Sequence, residues 1–135
     1  MSKIEGGCLC GKVRYSSTAE PIFTAVCHCT HCQKQSGTAF SVIVAVPSEA
    51  LILTGAQKTF EDTGESGMPV HRNFCPDCGS PIISVVDKLP GLSFIKAGTL
   101  DDVSWLKPTT EIWCDSAQPW VSLAGDTQKF ARARN

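Results

Sequence analysis

Hydrophobic and polar residues alternate over short distances along this chain. KVRYSS (12–17) puts Val13 and Tyr15 on one side with polar neighbours between them, the two-residue period of a strand with one buried face. SVIVAV (41–46) is a β-branched run that stops at Pro47, and LILTG (51–55) stops at a glycine. VHRNF (70–74) and PIISVV (81–86) flank a cysteine motif, and the second ends at DKLPG. LSFIKAG (92–98) and TEIWC (110–114) complete the set. Turn residues separate these runs at short intervals, which predicts an all-β domain. KQSGTAF (34–40) is the one stretch that offers a short helix, and Gly37 opposes it. No repeat, low-complexity tract or linker interrupts the pattern.

Composition narrows the class without altering that picture. The 135 residues suit a single domain, 1–135. A content of 42% hydrophobic and 19% charged residues is that of a soluble globular chain. The net charge of -1 gives no electrostatic footprint for nucleic acid or for a membrane surface. Lys129, Arg132 and Arg134 gather near the C-terminus and read as a solvated tail. The opening MSKIEGGCLCG lacks an apolar stretch of signal-peptide length. No run has the eighteen or so apolar residues of a bilayer span. The expectation is a cytoplasmic protein whose thiols stay reduced.

That setting gives the eight cysteines their meaning, because clustered thiols in a reducing compartment bind metal more often than they form disulfides. Cys8 and Cys10 form C-x-C. Cys27, Cys29 and Cys32 form C-x-C-x-x-C, and Cys75 and Cys78 form C-x-x-C before Gly79. In FCPDCG, Pro76 and Gly79 suit the tight turn of a zinc knuckle. A lone C-x-x-C would also suit a redox dithiol, but two further clusters favour metal. The simplest partition joins the two dyads into one closed four-thiolate site that staples a loop of about sixty residues. The triplet keeps three ligands and one open position, the pattern of a catalytic zinc. His31 is the better candidate to close it. His28 lies between two ligands and points away if Cys27 and Cys29 share a side. His71, near the knuckle, reads either as a proton carrier or as an ordinary strand residue. The spacing matches neither ferredoxin-type iron–sulfur pattern. A sulfur-rich open site favours another sulfur ligand, and a metal-held thiol is deprotonated and nucleophilic at neutral pH.

GGCLCGKVRY (6–15), CHCTHCQKQSGTAF (27–40), HRNFCPDCGSPI (71–82), AGTLDD (97–102) and EIWCDSAQPW (111–120) together resemble the glutathione-dependent formaldehyde-activating enzyme family, whose domain is shared with centromere protein V. The resemblance implies a mainly antiparallel β-tent. It implies two Zn2+ per chain: a structural ion on Cys8, Cys10, Cys75 and Cys78, and a catalytic one on Cys27, Cys29 and Cys32. It further implies a carbon–sulfur lyase that joins formaldehyde to glutathione as S-hydroxymethylglutathione. The chain departs from the family pattern at Glu111 and at Leu9, where histidine is frequent. Cys114 is an extra thiol that reads as a small buried hydrophobe. Gln33, Lys34 and Arg72 flank the zinc motifs and are the candidate contacts for substrate. Trp113 and Trp120 read as core or pocket wall. The reading is a zinc-dependent lyase or synthase acting on a thiol–aldehyde adduct. The alternative is a non-catalytic, zinc-stabilised binding module, which a second site closed by side chains would favour.

Overall fold

The computed structural model describes residues 4–123 and 125–133; Arg134 of the basic tail lies outside the described residues. The strands are β1 (Ile4–Gly7), β2 (Arg14–Ser17), β3 (Phe23–Cys27), β4 (Ser41–Pro47), β5 (Leu51–Thr54), β6 (Lys58–Thr63), β7 (Pro69–Phe74), β8 (Pro81–Val86), β9 (Leu92–Lys96), β10 (Thr110–Ile112) and β11 (Gln128–Lys129). One α-helix, α1 (Thr30–Ser36), and three single-turn 3-10 segments complete the elements among the described residues. The strands form two sheets. One has the order β1-β2-β5 and the other β11-β10-β3-β4-β9-β8-β7-β6. Pairing is antiparallel except at β10, which runs parallel to both β3 and β11. The architecture is mainly antiparallel β, as the pattern of short strands predicts. Among the described residues no helix is long and apolar enough to cross a membrane.

All seven runs picked out by the hydrophobic pattern contain strands, with shortened ends where the backbone turns. The first begins only at Arg14, because Cys8 N–H donates to Val13 O at 3.0 Å and closes a turn through Gly11 (φ 83°). TEIWC stops at Ile112, because Trp113 adopts a left-handed conformation (φ 57°). The helix lies earlier than KQSGTAF suggested. The Cys29 sulfur caps its start by accepting from Cys32 N–H, and Gly37 (φ 72°) ends it. Gly37 is therefore the left-handed C-cap for which glycine is suited, not an interior defect. β1, β3, β6 and β11 lie outside those runs: IEGG carries two glycines, FTAVC lacks strict alternation, KTFEDT is a polar, exposed edge strand and QK has only two residues.

The register gives the large sheet two faces of different character. Val44, Val46, Ile83 and Ile95 point to one side and are almost wholly buried with Ile4 and Tyr15 from the small sheet and Val13 just before it. Each such side chain contributes about 1.5–3 kcal/mol by leaving water. Residues of opposite parity, from Ala25 through Ile43 and Phe94 to Ser84 and Arg72, share the other face by direct pairing. Helix α1 lies over that second face, tied to the β6–β7 hairpin by Thr30 Oγ1–H to Glu65 Oε1 at 2.6 Å and by His31 to Asp62 at 2.9 Å.

Candidate metal centres

The first thiol cluster sits where the small sheet meets the knuckle. The Sγ atoms of Cys8, Cys10, Cys75 and Cys78 all lie within 4.8 Å of one another. Cys8 and Cys10 sulfurs are 3.5 Å apart, and Cys10 and Cys75 sulfurs 3.7 Å apart. A tetrahedron with metal–sulfur bonds of about 2.3 Å has sulfur–sulfur edges of about 3.8 Å, so these four donors fit zinc. Local backbone geometry aims them. Gly79 (φ 79°) donates to Cys75 O at 2.8 Å, and Cys75 N–H donates to Ser80 O at 3.0 Å. Val13 N–H reaches the Cys8 sulfur at 3.3 Å. The Ser80 hydroxyl lies 3.2 Å from Cys78 Sγ and accepts from Leu9 N–H at 3.1 Å. Side-chain and backbone hydrogen bonds from Ser80 hold the Cys78 thiol down at about 5.

The second cluster is buried. Cys27 ends β3, Cys29 caps α1 and Cys32 lies on the helix's inner side; their sulfurs are mutually within 4.8 Å. This donor set offers three thiolates to one ion and fits zinc with a coordination position to spare. Hydrogen bonds from Cys27 and then Cys29 hold the Cys32 thiol at about 2 against the opposing effect of burial, and Lys96 and Arg72 add to the lowering. The same contacts, from Cys29 and Cys32, push Cys27 upward. Cys32 is the triplet thiol that stands beside the two cations.

Neither predicted alternative ligand joins the triplet. His28 points to the opposite side of the segment. There its buried Nε2–H donates to Glu111 Oε1 at 2.8 Å, across the parallel β3–β10 pair. Glu111 also accepts from Thr127 Oγ1–H and lies 3.3 Å from Lys129 Nζ. These bonds hold its carboxyl below the usual range in spite of burial. The departure at Glu111 thus has a partner in His28. His31 turns outward, with Nδ1 at 2.9 and 3.1 Å from the two Asp62 oxygens. His71 lies on the sheet face away from the triplet, between Glu61 and Asp87, with Nε2 at 2.8 Å from Asp87. Cys114 is half-buried, with its thiol near Glu111 O at 3.7 Å.

A cavity of about 340 Å³ opens from the three cysteines and is lined by residues of β10, β3, β4, β9, β8 and β7. Arg72 reaches into it from β7, 3% exposed, with Nε 2.9 Å from Asp62 Oδ2 and Nη1 4.0 Å from Cys32 Sγ. Of the three residues proposed from sequence to meet a substrate, Arg72 alone lines this cavity. The Gln33 amide donates to His28 O at 2.7 Å and to Ser116 O at 3.0 Å, and its oxygen accepts from Gln118. It fastens the helix to neighbouring loops. Lys34 is exposed on the helix and outside the cavity.

Sequence reasoning missed Lys96 and Ser84, which also line the cavity. Lys96 is 7% exposed and donates to Ser41 Oγ at 2.9 Å. Burial lowers its pKa, and the charge on Cys32 works against that lowering. The available signal was a lysine in phase with Leu92 and Phe94 along LSFIK, where a buried strand would ordinarily carry an apolar residue. Trp113 and Ile112 pack directly on the cysteines, so Trp113 is pocket wall. Trp120 is 71% exposed and is neither core nor wall.

Comparison with known proteins adds an independent line. The sequence model of a family described as glutathione-dependent formaldehyde-activating enzyme matches residues 3–116. A protein of Phaeosphaeria nodorum provisionally given that enzyme's name is 30% identical over 104 residues, covering 75% of this chain and 54% of that protein. One from Penicillium rubens, provisionally named likewise, is 26% identical over 109 residues, covering 78% and 56% respectively. The chain thus spans about half the length of these curated relatives. A crystal structure of a Rhodobacter sphaeroides protein superposes with a TM-score of 0.59 at 18% identity, covering 73% of this chain and 89% of that one. That likeness is one of fold.

Proposed function

The chain belongs to the glutathione-dependent formaldehyde-activating enzyme family, and we propose that it is a zinc-dependent carbon–sulfur lyase or synthase, making or breaking the adduct of a thiol such as glutathione with an aldehyde such as formaldehyde. Cys8, Cys10, Cys75 and Cys78 would hold a structural zinc, and Cys27, Cys29 and Cys32 a catalytic one. The observation that carries this reading is the triplet itself: three buried thiols, mutually within 4.8 Å, at the end of a cavity large enough for a small ligand. Zinc bound there would supply deprotonation of an incoming thiol at neutral pH.

The protein's own side chains supply the remaining electrostatics. Three thiolates exceed the charge of a dication by one, and a substrate thiolate adds a second negative charge. Lys96 and Arg72, both buried beside the sulfurs, offset part of that charge where water does not, Arg72 sharing its own with Asp62. In the synthetic direction the thiolate sulfur forms a bond to the aldehyde carbon. The carbonyl π pair passes to oxygen, which takes up one proton. Lys96 is suited to supply it: its ammonium faces the cavity, spends one N–H on Ser41, and keeps two. The proton that the thiol loses on binding passes to water, and Lys96 regains one from water after the addition; the reverse direction returns the hydroxyl proton to Lys96 and expels the thiolate. Asp62 positions Arg72 and is itself held by His31.

The test is exchange between free glutathione, formaldehyde and their adduct, measured by magnetisation transfer on zinc-loaded protein. The expected result is acceleration over the uncatalysed exchange that falls at least tenfold in Cys29→Ala, with the circular dichroism spectrum retained. Unaccelerated exchange on fully loaded protein, with no thiol bound, would favour the passive binding module.

A further inference from the structure

The wall of the cavity is chemically unlike the substrate pair named above. Phe23, Ala25, Ile43, Phe94, Val86 and Val70 line it, supplied by five neighbouring strands whose register places them on one sheet face. Glu65, Ser66 and Lys88 line it from exposed positions. Deeper in, Arg72 is engaged with Asp62, and Lys96 with Ser41. Ser84 is the buried exception. It is 5% exposed, sits between Arg72 and Phe94 in the pairing, and its buried hydroxyl has no hydrogen-bond partner in the protein. An unpartnered buried hydroxyl is destabilising until a ligand satisfies it. It is the kind of isolated polar group that fixes a ligand's orientation in an otherwise apolar pocket.

Size and polarity together select a ligand class. A methylene takes roughly the space of a water, about 30 Å³. The cavity of about 340 Å³ therefore has room for on the order of ten such groups. The single carbon of formaldehyde fills little of it. Deep in the cavity the two carboxylates of glutathione would face Phe94, Ile43 and Val86, and the cations there, Arg72 and Lys96, already sit beside the triplet sulfurs. We infer that the site takes thiol–aldehyde adducts in which an alkyl or aryl group of about six carbons lies within a few bonds of the sulfur, seated on this sheet face with a polar atom of the adduct against Ser84. The apolar group comes from the aldehyde or from the thiol; the chemistry recognised is the same. This inference rests on the thiol–aldehyde reading above.

The test begins with the unmodified, zinc-loaded chain titrated calorimetrically with 2-mercaptoethanol, glutathione, hexane-1-thiol and phenylmethanethiol. Each buried methylene is worth about 0.8 kcal/mol, so the two apolar thiols are expected to bind at least tenfold more tightly than 2-mercaptoethanol. Val86→Glu, which places a charge on the wall, is expected to erase that preference. Equal affinities across the four thiols, or glutathione the tightest, would overturn the inference and leave the thiol–aldehyde reading standing. Absence of heat from every thiol would overturn both. A second arm compares glutathione exchange with hexanal and with formaldehyde. Faster exchange with hexanal assigns the apolar group to the aldehyde, whereas equal exchange beside tight binding of hexane-1-thiol assigns it to the thiol.

Discussion

Histidine 71 shows how one residue can be separated from the site it borders in sequence. It stands four positions before Cys75, yet strand alternation turns it away from Arg72 and the cavity. Its two ring nitrogens meet Glu61 and Asp87. Hydrogen bonds to Asp87 and then to Glu61 raise its pKa above the usual histidine value. A folded-state pKa above the unfolded one stabilises the protein fully below the unfolded pKa, about 6.5, and the contribution disappears as pH rises through the folded value. His71→Gln is therefore expected to lower the melting temperature at pH 5.5 and to have little effect at pH 9, as differential scanning calorimetry across that range would show. An unchanged difference at both pH values would mean that packing, not charge, holds His71. Lys96 makes the complementary point. Its strand neighbours Phe94 and Ile95 are buried apolar residues on opposite faces, and on the face of Phe94 it carries a cation into the buried layer beside the triplet sulfurs.

At the scale of elements, the short strands depend on glycines placed for distinct reasons. Gly55 follows β5 with φ 95°, and a Cβ there would lie 2.0 Å from Lys12 O, a backbone atom with nowhere to go. Gly37 caps α1 with φ 72° and has open space around it. The two substitutions should separate conformational strain from collision. Gly37→Ala is expected to cost about 1–2 kcal/mol, the left-handed penalty alone. Gly55→Ala adds a backbone clash and is expected to cost about 3 kcal/mol or more. Urea denaturation of the two variants measures both, and comparable losses would show that the β2–β5 edge yields to relieve the contact. The seven-residue helix α1 is too short to be stable by itself. Cys29 and Gly37 bound it, and Gln33 and His31 tie it down, so two of the three triplet sulfurs take their positions from a helix held by the rest of the fold.

At the scale of the molecule, the eight-stranded sheet separates two kinds of work. One face packs against the small sheet and the four-thiol cluster, and the other curves around the cavity and the triplet. The first cluster joins residues more than sixty positions apart (Cys10 to Cys75), so its metal would close a long loop and contribute to folding directly. The second joins residues within one short segment and closes almost no chain. Cys75→Ala is therefore expected to lose the cooperative thermal transition. Cys29→Ala should keep it and retain about one zinc per chain, against about two in the unaltered protein, by elemental analysis of reduced samples. Loss of folding in Cys29→Ala with a folded Cys75→Ala would reverse the two assignments.

The division between what was legible in the sequence and what was not follows from the range over which each signal acts. Strand class and the grouping of the cysteines into two dyads and a triplet depend on local periodicity and on spacings of one or two residues, which the chain displays directly; that the two dyads meet was the simplest partition and depends on the fold. Family membership was equally legible, because its motifs are contiguous. The helix boundaries were not, since they depend on a sulfur cap at Cys29 and on the left-handed Gly37. Nor could the sequence place Arg72, Lys96 and Ser84 in one cavity while removing Gln33, Lys34 and His71 from it. That choice required the register of five paired strands, and a shift of one residue in any of them would turn its side chains to the opposite face. Spacing along the chain grouped the cysteines into two dyads and a triplet; the tertiary structure brought the distant dyads together, and pairing between distant strands decided what surrounds the triplet and so what can approach it.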